Sequence, residues 1–394
     1  MRILVPSIVD PQRHLGGAGT WTRGFISLLA KEPLGSEIEC IVPVGTLSRF
    51  NRLRQATSLL RALASPLPSK ALFLRTPSFR RTLARRLADG GFDLVVINGG
   101  DLLWILDEIP AAMPVLLVAH NIEHALFASQ IESLGLARGP LGRWLRRDWC
   151  KLRNYEVAGT ERAGNVVFLS SDDADTMASL TSGLASICVP PLFDYEPCDR
   201  GLRRPPGSRL DVGMMANFTW WPNRVGLQWL LCEVLPRVRR DLTLHLFGAG
   251  SAAAARGRSH VVGHGFVPEL RAVWERCDFM LCPIVAGAGV AVKLAETVYN
   301  GVPVLATPFA THGLPVAECD AIVLLERADQ WAAFLDSPHA DVLARAHVPR
   351  TVADRFSAAS ARGTLQAFVH DVATSTPRTR RASSRQCCER TVVA

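Results

Sequence analysis

The fold is decided by the stretch Pro283-Ile284-Val285-Ala286-Gly287-Ala288-Gly289-Val290-Ala291-Val292-Lys293-Leu294-Ala295-Glu296, which continues into Gly301-Val302-Pro303-Val304-Leu305-Ala306-Thr307. It predicts an apolar strand, a glycine-rich turn, an amphipathic helix that begins near Val290, a glycine stop and another apolar strand. Gly287 and Gly289 carry no Cβ, so the backbone can approach a ligand closely, and the helix start directs unpaired N–H groups at an anion. Lys293 and Glu296 share one helix face. The stretch therefore predicts a phosphate site in which a cation meets a diphosphate and a carboxylate accepts from sugar hydroxyls.

Strand-like and helix-like segments alternate on both sides of this stretch, which predicts parallel sheets with crossover helices. The near-continuous apolar strands indicate sheets that are covered on both faces. The predicted strands of the first half are Arg2–Val5, Ile38–Val42, Leu94–Ile97, Val115–Ala119, Val166–Leu169 and Ser186–Val189. Those of the second half are Leu210–Met214, Leu242–Phe247, His260–Val262, Phe279–Cys282, Val302–Ala306 and Ala321–Leu325. The predicted fold class is α/β, with two Rossmann-like domains that face each other across a cleft.

The pattern also predicts the domain boundaries. Residues 1–190 form the first domain, and a segment rich in proline, arginine and glycine at 191–208 is the linker. Residues 209–348 form the second domain, with helices that include Pro222–Val238, Pro268–Cys277 and Gln330–Leu335. A helical stretch at 349–372 is expected to cross back to the first domain. Residues 373–394, rich in Ser, Thr and Arg, are expected to be a disordered basic tail.

Composition favours a globular protein of the cytoplasm. The chain has 394 residues, of which 48% are hydrophobic and 20% charged, and it lacks an apolar run of membrane-spanning length. The start has no secretory-signal pattern. Most of the ten cysteines lie in apolar runs, where we expect small buried hydrophobes in a reducing compartment. The adjacent Cys387-Cys388 pair could hold a metal or act in redox chemistry, but an incidental pair is the simpler interpretation.

The net charge of +8 is unevenly distributed. From Arg49 to Arg86 the chain has ten basic residues and no acid, which suits an anionic partner surface. The stretch Arg143–Trp149 mixes cations with tryptophans, as at a lipid interface. The two stretches indicate peripheral contact with the inner face of a membrane, and solvated helix faces remain the alternative. Nucleic acid is disfavoured as a partner because no aromatic and basic recognition module accompanies the charge.

Further candidate ligand residues follow other predicted strands. His120 comes directly after a strand of the first half, where an imidazole can bind a reacting sugar or an acceptor hydroxyl. The alternative for His120 is local turn chemistry beside an Asn121 helix cap, and glycine-rich turns by themselves are weak signals. The remaining candidates are Gly16 and Gly17 before a helix that begins near Trp21, Asn217 after the first strand of the second half, Gly248, and the pair Phe266 and Val267.

Over residues 1 to 370 the chain resembles the retaining glycosyltransferases of the two-Rossmann-domain (GT-B) type, family 4 or group 1. The resemblance rests on the glycine loop, Lys293, Glu296, Gly301-Val302-Pro303-Val304 and His312-Gly313-Leu314, with support from Gly16-Gly17, His120, Trp220-Trp221-Pro222-Asn223, Phe247-Gly248-Ala249-Gly250 and Gly265-Phe266-Val267. It implies that the second domain binds a nucleotide-diphosphate sugar and the first binds the acceptor.

The resemblance also implies roles for single residues. Glu296 would bind the ribose hydroxyls and Lys293 the diphosphate, with Gly16 and Gly17 approaching the diphosphate across the cleft. His120 would contact the transferred sugar near its reacting carbon. Such enzymes need no metal or other cofactor, because loop amides and cations stabilise the leaving diphosphate.

Two positions depart from the family pattern. Where the family commonly has a glutamate that contacts the donor sugar, this chain has Ala288. The loop after the first strand of the second domain commonly supplies an arginine and a lysine, and here it supplies Asn217 and Asn223, with Arg224 nearby. A subset of the family shares this glycine-rich, lysine-containing variant.

The function predicted from the sequence is transfer of a hexose from a nucleotide-diphosphate sugar to a polysaccharide or lipid-linked acceptor, with retention of anomeric configuration. Two alternatives stay open at this stage. One is a nucleotide-sugar-binding partner subunit without turnover, which Ala288 makes conceivable, and the other is a sugar-nucleotide epimerase on a similar scaffold.

Overall fold

The computed structural model describes residues 1–13, 16–43, 51–198, 209–316 and 319–375, with the backbone alone at 51 and 52. Of the sequence predictions, the expected tail beyond residue 375, the linker residues 199–208, Arg49 and the pair Cys387-Cys388 lie outside the described residues. Within the described ranges no helix is both long and apolar enough to cross a membrane.

The first domain is a six-stranded sheet in the order β2-β1-β3-β4-β5-β6, with every neighbouring pair parallel. Its strands are β1 (Arg2–Pro6), β2 (Glu37–Ile41), β3 (Leu94–Asn98), β4 (Val115–Ala119), β5 (Asn165–Phe168) and β6 (Ala185–Cys188). Its helices are α1 (Gly17–Ala30), α2 (Asn51–Ala64), α3 (Ser69–Leu74), α4 (Pro77–Asp89), α5 (Glu123–Ser133), α6 (Gly139–Ala163) and α7 (Ser171–Leu180), with a 3-10 helix at Gly100–Asp107.

The second domain repeats this architecture in the order β12-β11-β10-β7-β8-β9, again fully parallel. Its strands are β7 (Leu210–Met215), β8 (Leu242–Phe247), β9 (Val261–Gly263), β10 (Phe279–Cys282), β11 (Val304–Ala306) and β12 (Ile322–Leu324). Its helices are α8 (Trp221–Trp229), α9 (Ser251–Ala255), α10 (Leu270–Arg276), α11 (Val292–Tyr299), α12 (Ala328–Asp336), α13 (Pro338–Arg345) and α14 (Arg350–Ala353), and α15 (Ala358–Thr374) follows. The predicted fold class of two Rossmann-like domains is confirmed.

The central strands of each sheet are buried on both faces. Along β1, Leu4 packs into the core on one face, whereas Ile3 and Val5 pack into the core on the other, and all three are fully buried. Alternate side chains of a strand point to opposite faces, so a strand covered by helices on both sides must be apolar throughout. The continuous apolar runs of the sequence follow from this double burial.

The connection between the domains is tied by backbone hydrogen bonds to the segment that leads into α15. The Phe193 N–H donates to the carbonyl oxygen of Phe356 (2.8 Å), and the Phe193 carbonyl accepts from Ala358 N–H (2.9 Å). Helix α15 then packs against α1, where the buried Gln366 side chain donates to the carbonyl oxygens of Leu28 (2.7 Å) and Lys31 (2.8 Å). The last helix is thereby part of the first domain's core.

Several predicted helix boundaries are wrong. The helix predicted at Pro222–Val238 ends as an α-helix at Trp229 and continues as a π-helical turn and a 3-10 turn, because Pro236 has no N–H to donate. The stretch from Pro349 to Val372 is divided by a 3-10 turn at Asp354–Phe356. Helix α1 begins at Gly17 rather than near Trp21, and α11 begins at Val292 rather than near Val290.

The expectation that most cysteines are buried is also wrong. All eight described cysteines are free thiols, and only Cys277 and Cys282 are buried, whereas Cys188 and Cys232 are exposed. Cys188 ends the edge strand β6. An apolar sequence run does not bury every member when the strand lies at the edge of its sheet.

Candidate functional site

The second sheet has one point at which the strand order reverses, between β7 and β10. In open α/β sheets the loops at such a point diverge and leave a crevice outside the carboxyl ends of the strands. The loop after β7 carries Asn217, and the loop after β10 carries the two predicted glycines and leads into α11. The predicted donor loops therefore border the crevice that this topology creates.

The glycine loop after β10 contacts the first domain. Gly287 (φ 136°) donates its N–H to Ser129 Oγ of α5 (3.1 Å). Gly289 has φ 73°, and a Cβ there would overlap the Asn121 amide and lie 3.0 Å from the His120 carbonyl oxygen. Both conformations lie in the region of positive φ that favours glycine. The two glycines thus allow the domains to meet at the segment that follows β4.

A second contact between the domains joins the starts of two helices. Gly16 is the N-cap of α1 and Gly17 its first residue, so these glycines form the helix start rather than a loop before it. A Cβ on Gly17 would lie 2.9 Å from Val292 Cβ, at the first residue of α11. Because each helix start presents unpaired N–H groups, two positive helix ends meet here. This arrangement suits an anion.

Lys293 lies in the first turn of α11 and is half-buried. Its Nζ donates to Asn223 Oδ1 (2.5 Å), and Asn223 Nδ2 in turn donates to the carbonyl oxygen of Asn217 (2.8 Å). Burial lowers the pKa of Lys293. A neutral amide is the only side chain shown bonded to this ammonium among the described residues. Lys293 therefore presents a poorly compensated positive charge beside the crevice.

Glu296 lies one turn further along α11, and its carboxyl group faces two partners from outside its own domain core. Tyr195, in the connection between the domains, donates its hydroxyl to Glu296 Oε1 (3.3 Å). Burial raises the pKa of Glu296 to about 7, and the Tyr195 hydroxyl and the positive charge of Arg23 on α1 oppose this shift. The Glu296 carboxyl group therefore titrates near pH 7 in a recess where its ionised form can accept hydrogen bonds from hydroxyl groups.

His120 follows β4 but does not point freely into the cleft. The residue is only 5% exposed, its Nε2 lies 2.7 Å from Asn98 Oδ1, and its ring meets Trp21 edge-on at 5.2 Å. Asn98 Nδ2 donates to the hydroxyls of Ser7 and Thr22, so Asn98 Oδ1 is the acceptor and Nε2 of His120 carries a proton. The structure thus brings the backbone of His120 to the glycine loop and fixes its imidazole by a buried network.

The other predicted donor residues lie in loops that follow strands of the second sheet. The Asn217 side chain accepts from the backbone and hydroxyl of Thr219, which closes the turn after β7. Gly248 has φ 115°, and a Cβ there would overlap the Ala216 carbonyl oxygen. Phe266 is 56% exposed, and Val267 packs against the core of the second domain. All four lie at the carboxyl edge of the second sheet, although Phe266 and Val267 follow its outermost strand.

A buried ionic network supports the first-domain side of the cleft. Lys70 Nζ lies 2.6 Å from Glu123 Oε2, and Glu123 begins α5 directly after the segment that meets the glycine loop. Glu156 accepts from the Glu123 N–H (2.7 Å) and from His124 Nδ1 (2.6 Å). Burial opposes the ionisation of Glu123, but the charge of Lys70 and the hydrogen bonds from Lys70 and Asn121 together outweigh it and lower the pKa of Glu123. Burial and the charge of Glu123 raise the pKa of Asp101 to about 7. The network fixes the start of α5.

Sequence reasoning missed Tyr195 and Ser129 as residues that contact the predicted donor elements, and it weighed Asn121 only as a helix cap. Tyr195 was assigned to a linker, and its contact with Glu296 spans a sequence separation of 101 residues. Ser129 lies in the middle of α5 and has no local signal. The described residues contain no group of three or more potential metal ligands.

The membrane interpretation of Arg143–Trp149 changes with the structure. Trp149 is half-buried and donates its indole N–H to the His124 carbonyl oxygen (2.9 Å), whereas Arg143 and Arg147 are exposed. The tryptophan therefore serves packing within the first domain. Trp144 of the same stretch is half-buried, and the predicted contact with an anionic surface stays a prediction.

The second domain is similar to a known protein family. Residues 209–337 match the family model of Glycosyl transferases group 1. No curated protein sequence matches the chain significantly.

Solved structures match nearly the whole chain. Sucrose-phosphate synthase from Thermosynechococcus elongatus aligns with 14% identity and a TM-score of 0.64, over 95% of this chain and 96% of its own. Anabaena HepE in complex with UDP-glucose aligns with 14% identity and a TM-score of 0.60, over 94% and 100%. The lipopolysaccharide outer core galactosyltransferase WaaB aligns with 11% identity and a TM-score of 0.54, over 94% and 99%. Residues 209–337 are therefore similar to the Glycosyl transferases group 1 family, and the described chain has the two-domain GT-B fold.

Proposed function

We propose that the protein transfers a hexose from a nucleotide-diphosphate sugar to a polysaccharide or lipid-linked acceptor, with retention of anomeric configuration and without a metal. The observation that carries this proposal is the meeting of two helix starts, at Gly17 and Val292, beside the half-buried Lys293. Backbone N–H groups and a desolvated ammonium at one place are what a departing diphosphate requires.

The donor's nucleotide is held on the second domain in this proposal. Lys293 binds the diphosphate, which replaces the neutral amide of Asn223 as the partner of the ammonium group. Glu296 accepts from the ribose hydroxyls, and Tyr195 orients its carboxylate. The loops of Gly248, Phe266 and Asn217 enclose the base and sugar. Among the similar structures, HepE was solved with UDP-glucose, which supports a nucleotide sugar as the donor class.

Chemistry takes place where the glycine loop meets the segment after β4. The positive helix starts stabilise negative charge as the bond between the anomeric carbon and the diphosphate breaks. The His120 backbone lies at this contact, and its imidazole is held by Asn98 with the proton on Nε2. His120 is proposed to orient the transferred sugar near its reacting carbon. Its fixed position lowers the entropic cost of reaching the transition state.

The acceptor binds to the first domain, and the basic stretch from Arg49 to Arg86 is proposed to contact an anionic surface on the cytoplasmic side of the cell membrane. Flotation with vesicles of phosphatidylglycerol at low salt tests this part. Protein that stays with the soluble fraction contradicts membrane contact and leaves the transferase proposal intact.

A thermal-shift screen of nucleotide sugars, followed by turnover of the best ligand, tests the main proposal. A ligand that binds only the folded state raises the melting temperature. We expect Lys293→Ala and Glu296→Ala to weaken donor binding and reduce turnover, whereas Arg256→Ala, which removes an exposed cation from the same domain, leaves both unchanged. Unchanged turnover in the Lys293 and Glu296 variants would show that the site is misassigned.

The same screen separates the alternatives. Conversion of the donor into an isomeric nucleotide sugar in the absence of any acceptor identifies an epimerase. Donor binding without transfer or hydrolysis over a broad acceptor panel identifies a binding subunit, for which Ala288 in the glycine loop is the motivating residue.

A further inference from the structure

Four arginines of the first domain line a cavity of about 620 Å³ that no part of the proposed donor site uses. Arg61 belongs to the last turn of α2, Arg75 follows α3, and Arg80 and Arg81 lie near the start of α4. One carboxylate, Glu108, is the only acid that lines it. Four guanidinium groups against one carboxylate leave an excess of positive charge inside a concave surface, where an anion is attracted most strongly.

The arginines are held in two different ways. Arg80 forms an ion pair with Glu108 (2.6 Å), and the Arg75 guanidinium lies over the Trp104 ring at 5.7 Å. Within the ranges that the structure describes, the side chains of Arg61 and Arg81 form neither hydrogen bonds nor ion pairs. Two guanidinium groups therefore define the walls, and two are available for a ligand.

The arrangement favours a tetrahedral phosphoryl group over a carboxylate. Guanidinium forks bind phosphate oxygens in a bidentate manner, and a phosphoryl group can accept from several forks that approach from different helices. The start of α4, with Pro77 at its first turn, adds the positive end of a helix dipole to the same cavity. A planar carboxylate has only two oxygens to share among the four arginines.

Helix α3 connects this cavity to the site. It carries Lys70, whose ammonium pairs with Glu123 beside the contact with the glycine loop, and Arg75 is its C-cap. The Lys70–Glu123 pair and the arginine cavity therefore lie at opposite ends of one six-residue helix, about 9 Å long.

We propose that this cavity binds a phosphoryl or phosphodiester group of the acceptor or of the lipid surface that carries it. The choice of the acceptor as carrier rests on the proposed function, whereas the binding of a phosphoryl group rests on the cavity alone.

Binding of inorganic diphosphate, measured by isothermal titration calorimetry, tests the site. The variant Arg61→Gln/Arg81→Gln removes the two unpaired guanidinium groups, and Arg256→Gln/Arg362→Gln removes the same charge from exposed positions outside both the cavity and the basic stretch. We expect diphosphate affinity at the cavity to fall at least about tenfold in the first variant and to stay unchanged in the second, because charge-assisted hydrogen bonds are lost. A lysine pair at 61 and 81 should give an intermediate affinity, since charge remains but the fork is lost.

Equal diphosphate binding by both double variants and the wild type would overturn the proposal. The Lys293→Ala protein, titrated in parallel, separates diphosphate bound at the donor site from diphosphate bound at the cavity. If nucleotide-sugar binding is retained while Arg61→Gln/Arg81→Gln binds diphosphate as well as its control variant does, the cavity proposal is rejected and the proposed function stands. If the protein binds no nucleotide sugar but its diphosphate binding still depends on Arg61 and Arg81, the proposed function is rejected and the cavity proposal stands.

Two further arms distinguish the source of the phosphoryl group. Farnesyl phosphate below its critical micelle concentration represents an acceptor phosphate, and vesicles of phosphatidylglycerol in phosphatidylcholine represent a lipid surface. Selective loss of farnesyl phosphate binding in Arg61→Gln/Arg81→Gln assigns the cavity to the acceptor, and selective loss of vesicle binding assigns it to the membrane. If Arg61→Gln/Arg81→Gln still binds both farnesyl phosphate and the vesicles as the wild type does, both sources and the proposal itself are contradicted.

Discussion

Gly289→Ala tests whether the glycine loop must approach the first domain closely. Gly289 has φ 73°, and an alanine Cβ would overlap the Asn121 amide and lie 3.0 Å from the His120 carbonyl oxygen. The left-handed conformation costs an alanine about 1 kcal/mol. The forced contact with packed neighbours adds about 1–3 kcal/mol, because the carbonyl belongs to the backbone and cannot rotate away.

A matched control isolates the second contribution. Gly257 has φ 76°, and nothing lies within 4 Å of the position that its Cβ would occupy. Gly257→Ala therefore carries the conformational cost without the contact. We expect Gly289→Ala to be less stable than Gly257→Ala by about 1–3 kcal/mol in urea denaturation.

Turnover of the nucleotide sugar should respond more sharply than stability. A displacement of about 1 Å in a site can cost about a hundredfold in rate, so Gly289→Ala should lose about that factor, whereas Gly257→Ala should keep the wild-type rate. Adding Asn121→Ala to Gly289→Ala removes one of the two obstructions, and a coupling free energy of about 1 kcal/mol should appear in the double-mutant cycle. If Gly289→Ala matches Gly257→Ala in both stability and turnover, the close approach of the loop has no role.

Three other variants test the site and its support. Because burial raises the pKa of Glu296 to about 7, this carboxyl group is protonated below that pH in the free protein, and donor affinity should increase as the pH rises from 6 to 8. Glu296→Gln should abolish this pH dependence. A pH profile that the substitution leaves unchanged contradicts the assignment of Glu296. Lys70→Met leaves Glu123 buried without its cation, so the free energy of unfolding at pH 7.5 should fall by about 3–5 kcal/mol. A loss below about 1 kcal/mol would mean that the pair is not buried as described. Gln366→Ala removes the two hydrogen bonds from α15 to the carbonyl oxygens of Leu28 and Lys31, so the free energy of unfolding should fall by about 1–3 kcal/mol and the last helix should be proteolysed earlier. Arg362→Ala, at an exposed position of the same helix, should behave as wild type.

Helix boundaries show where local signals are insufficient. The sequence predicts a start of α1 near Trp21, since three of the five preceding residues are glycine, yet the helix begins at Gly17. Contact with Val292 of the other domain accounts for the small residue at this start. Local propensity predicts that glycine precedes a helix, and only packing between the domains explains glycine inside one.

The sequence by itself determined the class of the fold, and it predicted α11 as the helix that we propose to bind the donor. Apolar runs of strand length alternating with helical patterns specify parallel sheets, and Gly287, Gly289, Lys293 and Glu296 carry their chemistry in their local spacing. These features follow from backbone periodicity, which is a property of neighbours along the chain.

Only the tertiary structure decided which groups surround that helix. Tyr195 reaches Glu296 and Ser129 reaches Gly287 across separations of 101 and 158 residues, and four arginines from three helical segments converge on one cavity. Such contacts depend on how the sheets and their crossovers pack, and no local pattern encodes them. The burial that moves the pKa of Glu296 to about 7 arises in the same way, because desolvation is a property of the assembled recess rather than of the residue.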